Sequence, residues 1–575
     1  MWWVDGDEVR SMLSGEGEER AEVVAVPDAK RPWLSVYGGK LSGEPIGGSL
    51  NDFLEKAAEE YRDNVALTGE RNEISYGELL ALVEKSASAF HGAGVMKGDR
   101  VGLMLPNCPE YVVAFFGALR IGATTTQVNP LYVGRELEHI FSDSGTQTVL
   151  AHAAMYPKVK DVQEGTPLKR IVCVGEPEGG TWDGDVSFGE FLDTASGSAP
   201  EAEIDPEEDL ASIQYTGGTT GVSKGAMLTH ANLLGGVKQT MDLLIEDPKQ
   251  FPENGGAVAV APFFHIFGMT MVLLFGMRMG WNLLTVARFR PDAMMEMIRD
   301  EKPVYLAGVA TLYTALHNYP DMESYGLDEV LLYTSGGAAV PISLLESFER
   351  RTGRPIFEGW GLSEGAPASF NTYLRGWVGG SIGVPIPGTD AKIVDLETGE
   401  KEMPLGEAGE IAIKGPQVMK GYWGMPEQTA EVLRDGWLYT GDVARMDEQG
   451  YLYIVDRKKE VINTAGFKVY PREVEEVLYA HPEVVEGVAV GVPDEYRGET
   501  VKAFVVKKEG SALTDEELVS YCKENLAPYK VPKLVEFREE LPKSAVGKLL
   551  KRVLADEERQ KAGLAPEEGK GLGGR

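Results

Sequence analysis

Residues 215–225 read Tyr-Thr-Gly-Gly-Thr-Thr-Gly-Val-Ser-Lys-Gly, and this run concentrates side chains able to hold an anion. Glycine permits the tight turns that let backbone N–H groups converge on a phosphate. Hydroxyls add donors, and Lys224 adds positive charge. Thr216, Gly217, Gly218, Thr219, Thr220 and Lys224 are the expected contacts. The run is not a P-loop of the Walker type. Counted from Gly218 the spacing to Lys224 fits, but Ser223 stands where glycine is required. Gly225 stands where a Ser or Thr must hold magnesium.

Such a loop needs a rigid body to aim it. A chain of 575 residues predicts two to four compact units. Its 43% hydrophobic and 25% charged content suits a soluble globular protein and excludes disorder as the dominant state. The acidic excess, 56 basic against 89 acidic residues for a net charge of −33, argues against a nucleic-acid partner, because phosphate backbones are held by clustered Lys and Arg. Cys108, Cys173 and Cys522 form no CxxC pair, which points to a reducing cytosol. The seven histidines show no metal-ligand spacing such as HExxH. The start, MWWVDGDEVRS, carries acids where a signal peptide needs a basic flank. The uncharged stretch Gly255 to Met277 has the length of a membrane span. Pro262, His265 and the interior Gly256, Gly268 and Gly276 make it instead a buried strand followed by a buried helix.

Texture along the chain sets the domains. Residues 1–48 read as a loose N-terminal extension. Asn51 or Ser49 then caps a helix, and apolar runs such as 100–107 alternate with helical patterns to about residue 320. That alternation predicts an α/β fold with largely parallel sheet, in layered subdomains of a large N-terminal domain over 49–456. From about 380 to 456, alternating apolar and polar residues predict a small β-rich subdomain. The charged run DRKKE at 456–460 precedes a smaller α+β C-terminal domain over 457–555. Residues 556–575 read as a disordered tail.

The run at 215–225 resembles the phosphate-binding signature of adenylate-forming enzymes, which include acyl-CoA synthetases, luciferases and the adenylation domains of peptide synthetases. Further motifs of that superfamily follow in order: APFFH at 261–265, SGGAAVP at 335–341, EGWGLSE at 358–364, YTGD at 439–442, DRKKE at 456–460 and PKSAVGK at 542–548. The resemblance covers about residues 50–555. It implies that Gly337, Ala338, Glu358, Gly359, Trp360 and Ser363 contact the nucleotide, that Thr216 and Glu364 hold Mg²⁺, and that Asp442 accepts the ribose hydroxyls. It implies that Lys548 is the catalytic lysine, neutralising carboxylate and α-phosphate together, and that Lys459 is the hinge of a mobile C-terminal domain. Arg457, Lys459 and Lys468 are further nucleotide or CoA contacts on the same grounds, and His265 sits at the carboxylate end of an acyl tunnel with Ile266 and Met269.

Some positions depart from the pattern. Trp360 stands where Tyr is more frequent, Ser223 where Pro is, and Gly217 where Ser is. Ala465 replaces a lysine of plant aryl-CoA ligases and luciferases, which lowers the weight of those activities. The segments 128–132 and 135–139 are similar to bacterial and archaeal long-chain fatty-acid CoA ligases. No charged residue lies in 262–277, which suits an alkyl chain, since each buried CH₂ contributes about 0.8 kcal/mol. The expectation is a medium- or long-chain fatty-acid CoA ligase that uses ATP, Mg²⁺ and coenzyme A, passes through acyl-AMP, and acts in the cytoplasm. An aryl or short-chain acyl-CoA synthetase, or a non-catalytic acyl- or nucleotide-binding protein, is the alternative. Peripheral membrane contact and a homodimer stay open.

The lysine assignment is testable directly. Lys548→Ala is expected to lower acyl-AMP formation by about 10²–10³, the effect of deleting one preorganised charge, while thioester formation from supplied acyl-AMP largely persists. Near-normal pyrophosphate exchange in the variant removes Lys548 from that role.

Overall fold

The computed structural model describes residues 31–36, 46–70, 72–177, 182, 184–216, 223–245, 247–372, 376–457, 460–464, 467–494, 497–544 and 549–564. Two large sheets form the body. In the first, Arg100–Met104 lies between Thr124–Gln127 and Thr148–His152, and all three run parallel. Leu210–Tyr215 joins Thr124–Gln127 in parallel, then pairs antiparallel with Gly225–Thr229, which Gly421–Tyr422 follows at the edge. In the second, Asn282–Thr285, Gly256–Ala259, Tyr305–Gly308, Leu332–Ser335 and Ile356–Leu362 run parallel in that order. The Gly365–Phe370 strand turns back antiparallel on the last of these.

Parallel strands are covered on both faces by their crossover helices, so they read as continuous apolar runs. Residues 101–104 are all buried for this reason, as are all of Tyr305–Gly308 and Leu332–Ser335. The helix Pro109–Arg120 follows its strand as the sequence predicts, burying ten of its twelve residues. Ser49, rather than Asn51, caps Leu50–Glu60: its hydroxyl accepts from the N–H groups of Asn51 and Asp52, and Asp52 returns a bond to the Ser49 N–H at 2.6 Å. The 255–277 stretch divides into the strand Gly256–Ala259 and the short helical segments Ile266–Gly268, Met269–Leu274 and Phe275–Arg278. Among the described residues no helix is long and apolar enough to cross a membrane.

An antiparallel sheet of Asp390–Val394, Gly409–Lys414, Trp437–Met446, Leu433–Arg434 and Leu452–Arg457 occupies the stretch expected to be β-rich. The stretch read as a loose extension is partly docked on it. Trp33 is only 1% exposed, its backbone lies against Gly450, and Arg31 pairs with Asp390 at 2.7 Å. One buried indole removes enough apolar surface from water to hold a short segment without periodicity.

Beyond it, Gly498–Lys507 pairs antiparallel with Val484–Asp494 and parallel with Leu534–Phe537, flanked by the helices Pro471–Ala480, Asp515–Asn525 and Lys551–Lys561. That last helix runs through the expected boundary at 555, because Leu554 is fully buried and draws the following turns with it. The loop 545–548, with Lys548, lies outside the described residues, but its base is fixed. Lys543 bridges to Leu549, the Leu550 N–H donates to the Pro542 carbonyl at 2.8 Å, and Lys543 pairs with Glu486 at 2.6 Å.

Candidate active site

In open α/β sheets ligands collect outside the carboxyl ends of the strands. Here a small cleft opens there, with Ile266, Met271 and Phe370 among its apolar walls and Gly336, Gly337 and Gly359 also lining it. His265 enters it from the loop after Gly256–Ala259. That loop is pinned by Asn107, whose Nδ2 donates to the Ala259 and Ala261 carbonyls at 2.7 and 2.9 Å, while its Oδ1 accepts from the Phe263 N–H at 2.7 Å. The Tyr111 hydroxyl donates to the Phe263 carbonyl at 3.0 Å. His265 Nδ1 then accepts from the Phe267 N–H at 3.3 Å and so caps the next turn. A Cβ on Gly268 would lie 2.1 Å from the Pro262 carbonyl oxygen, so the chain can double back only at glycine.

Ile266 lines the cleft with His265. Met269 does not. It is fully buried, and Gln214 Nε2 approaches its sulfur at 3.7 Å. Thr270 and Met271 take the wall instead.

The opposite side carries the second group of sequence candidates. Gly336, Gly337, Gly359 and Trp360 line the cleft, and Gly337 needs its φ of +77° to turn the chain away from the strand Leu332–Ser335. Ala338 follows, half-buried. Glu358 is not at the cleft surface. It lies 4% exposed beneath this turn, and its Oε1 accepts from the Val340 N–H at 2.9 Å. Burial pushes its carboxyl up to about 7, against the lowering influence of that N–H and of Arg472.

Trp360 turns its indole N–H to Asp442 Oδ2 at 2.9 Å. Asp442 is buried on the strand Trp437–Met446, across from Arg457 in register, and Glu410 holds the preceding Gly441 N–H at 2.9 Å.

Ser363 and Glu364 make the two-residue turn between Ile356–Leu362 and Gly365–Phe370. Glu364 Oε1 accepts from the Tyr422 hydroxyl at 2.7 Å, and its carbonyl accepts from the Met419 N–H at 2.7 Å. Lys224 Nζ lies 4.8 Å from the centre of the same tyrosine ring. Burial, then the Glu364 charge, push the Tyr422 phenol above its ordinary pKa, so it stays a donor. Sequence reasoning missed both Tyr422 and Asn107. Tyr422 belongs to a two-residue strand beside Gly225–Thr229, opposite Ala226, a pairing that no local pattern announces.

Thr216 and Lys224 face each other across the base of the anion loop, where the Thr216 N–H donates to the Lys224 carbonyl at 2.9 Å. Ser223 Oγ donates to the Thr216 carbonyl, and His139 Nε2 to the Ser223 carbonyl at 2.8 Å. Gly217, Gly218, Thr219, Thr220, Lys459 and Lys548 lie outside the described residues, and for Arg457 and Lys468 only the backbone is described.

Among the described residues no cluster of three His, Cys, Asp or Glu could hold a metal by itself. One carboxylate, Glu364, and one hydroxyl, Thr216, are oxygen donors of the kind that suit Mg²⁺, which keeps waters and is shared with substrate phosphates.

The AMP-binding enzyme family matches residues 54–423, and its C-terminal domain matches 473–548. A long-chain-fatty-acid CoA ligase of Bacillus subtilis (strain 168) is 40% identical over 92% of this chain and 98% of its own length. The structure of ATP-bound MatB from Rhodopseudomonas palustris is 30% identical with a TM-score of 0.79, covering 88% of this chain and 98% of that one. That of the anthranilate CoA ligase AuaEII in complex with anthranoyl-AMP is 27% identical with a TM-score of 0.83, covering 91% and 99%.

The buried Glu358 carboxyl sets a pH test. Its folded pKa lies above the unfolded value, so the native state binds the extra proton between about pH 4.5 and 7, and stability falls as pH rises through that window. Glu358→Gln keeps an acceptor for Val340 without the charge. It is expected to stabilise the fold more at about pH 8.5 than at about pH 5, by on the order of 2–3 kcal/mol, read as a larger rise of the thermal midpoint at the higher pH. An equal shift at both pH values, followed by calorimetry, contradicts the assignment.

Proposed function

Because this chain belongs to the AMP-binding enzyme family, we propose that it is an ATP-dependent medium- or long-chain fatty-acid CoA ligase that forms acyl-AMP and releases acyl-CoA, AMP and pyrophosphate. The observation that carries the substrate class is the likeness to a fatty-acid ligase over nearly the whole chain. The cleft agrees: among the described residues that line it, His265 is the one ionisable group, so the described walls offer an alkyl chain little charge to desolvate.

The first step joins two anions, a carboxylate and the α-phosphate. The residues must screen that repulsion and hold the charge that gathers on the phosphoryl oxygens. Lys224 and the anion loop take the phosphates, and Lys548 supplies charge at the reacting centre. His265, held by its cap bond and by the Asn107 clamp behind it, fixes the carboxylate end of the acyl chain. Asp442 receives the ribose, and the Gly336–Ala338 turn together with Trp360 receives the base. Thr216 and Glu364 are the residues that would hold Mg²⁺, which when bound neutralises phosphate charge. Tyr422 keeps the Glu364 carboxylate aimed.

In the second step the CoA sulfur attacks the acyl carbonyl, the thiol proton is lost, the C–O bond to phosphate breaks and AMP leaves. Lys548 and the incoming thiol need the same space, so the C-terminal region turns about Lys459 between the steps. With three free cysteines, two of them buried, the chain fits a reducing cytoplasm. Neither membrane association nor a homodimer belongs to the proposal.

Release of AMP, measured with and without CoA across a panel of carboxylic acids, tests the activity. Medium and long alkyl acids are expected to give CoA-dependent AMP. Preference for aromatic or short acids overturns the substrate class, and no AMP from any acid overturns the activity. Glu364→Gln is expected to raise the magnesium concentration for half-maximal rate about tenfold, since a lost charged contact is worth roughly 1.5 kcal/mol. An unchanged magnesium dependence with an unchanged thermal transition places Glu364 outside the metal site.

A further inference from the structure

Trp360 stands where the family more often has tyrosine, and the structure gives the indole a task that a plain stacking ring would not have. Its Nε1–H donates to Asp442 Oδ2 at 2.9 Å. The two residues are 82 positions apart, on different sheets, and Asp442 is 6% exposed. Asp442 is held on its own side as well. Its N–H donates to Thr440 Oγ1 at 3.2 Å, and the preceding Gly441 N–H is taken by Glu410. Trp360 also lines the cleft, so one indole joins the cleft wall to the buried carboxylate. A carboxylate oxygen that accepts one bond retains a lone pair for a second, so the indole can orient Asp442 without consuming it.

We infer that Trp360 is a positioning residue for ribose recognition. Its indole N–H fixes the plane of the Asp442 carboxylate before the nucleotide arrives, so that the carboxylate meets both ribose hydroxyls without first being ordered. The inference rests on the proposal that Asp442 receives the ribose of ATP. Preorganisation places the gain in discrimination between nucleotides with and without the full diol, not in the adenine contact. A flat aromatic ring at position 360 can still cover the base after the donor is removed.

The test uses the full-length enzyme with ATP, 2′-deoxy-ATP and 3′-deoxy-ATP, reading kcat/KM for each in pyrophosphate exchange and, separately, equilibrium binding of AMP and 2′-deoxy-AMP. Trp360→Phe keeps a ring and deletes the donor. It is expected to reduce the preference for ATP over either deoxy analogue about tenfold, the effect of one hydrogen bond to a charged group, mainly through KM. In an Asp442→Ala background the same change is expected to leave the remaining preference where it is, because the group that Trp360 acts on is gone. Adenine stacking contributes equally to ATP and its deoxy analogues, so it cancels from the ratio. A preference that Trp360→Phe leaves unchanged, or strengthens, overturns the inference, as does an equal loss in both backgrounds. Absence of AMP formation by the wild-type enzyme strikes the functional proposal instead, while the AMP-binding ratio still decides the role of Trp360.

Discussion

A carboxylate and a polyphosphate repel each other, and neither can be neutralised by the other. Any site that joins them must already hold donors and positive charge in place, because reorganising them during the reaction would cost as much as the repulsion itself. The arrangement of this protein follows from that constraint. The Leu210–Tyr215 and Gly225–Thr229 strands pair antiparallel on either side of the Gly- and Thr-rich run, the Thr216 N–H closes onto the Lys224 carbonyl, and His139 braces Ser223. Lys224, the cation at the end of that loop, rests against Tyr422, and Tyr422 donates to Glu364 on the other large sheet. One phenol thus ties Lys224 on one large sheet to the Glu364 turn on the other.

Rigidity comes from buried polar anchors, each satisfied. Asn107 makes three hydrogen bonds to the segment that delivers His265, and it reaches them from the loop after Arg100–Met104, on the other sheet. Glu358 sits beneath the Gly336–Val340 turn at an electrostatic cost visible in its raised pKa, and in return the turn has a fixed partner. Buried groups of this kind are expensive unless paired, and when paired they specify one arrangement. The acidic surface contributes differently. Ion pairs such as Lys85–Asp193 and Lys302–Glu329 are exposed and worth at most about 1 kcal/mol each. They leave the geometry of the cleft to its interior.

Among the described residues, the C-terminal region meets this body partly through one helix. The helix Pro471–Ala480 rests near Ile342–Thr352, and Arg472 donates to the Ile454 carbonyl at 3.1 Å. Within the region, Lys551 joins Glu460, the last residue of the charged run, to Glu475 at 2.9 Å, next to the base of the loop that carries Lys548.

The sequence by itself determined the elements whose cause is local. Periodic apolar runs made the parallel strands, a serine followed by an aspartate three residues on made the first helix cap, and the crowding of Gly, Thr, Ser and Lys marked the anion loop. The ordered motifs named the family because each keeps its residues within a short stretch. Tertiary structure decided what depends on contacts between distant segments. Tyr422 gains its role only because a two-residue strand lands beside Gly225–Thr229. Trp33 is anchored by one turn more than four hundred positions away, at Gly450. Glu358 and Trp360 share one motif, yet Glu358 pairs with Ser335 and lies under the turn while Trp360 pairs with Ser369 and lines the cleft, a difference set by the distant strands that each meets. Met269, which the family resemblance placed on the cleft wall, is instead buried with its sulfur 3.7 Å from Gln214 Nε2, a contact between segments that no local pattern announces.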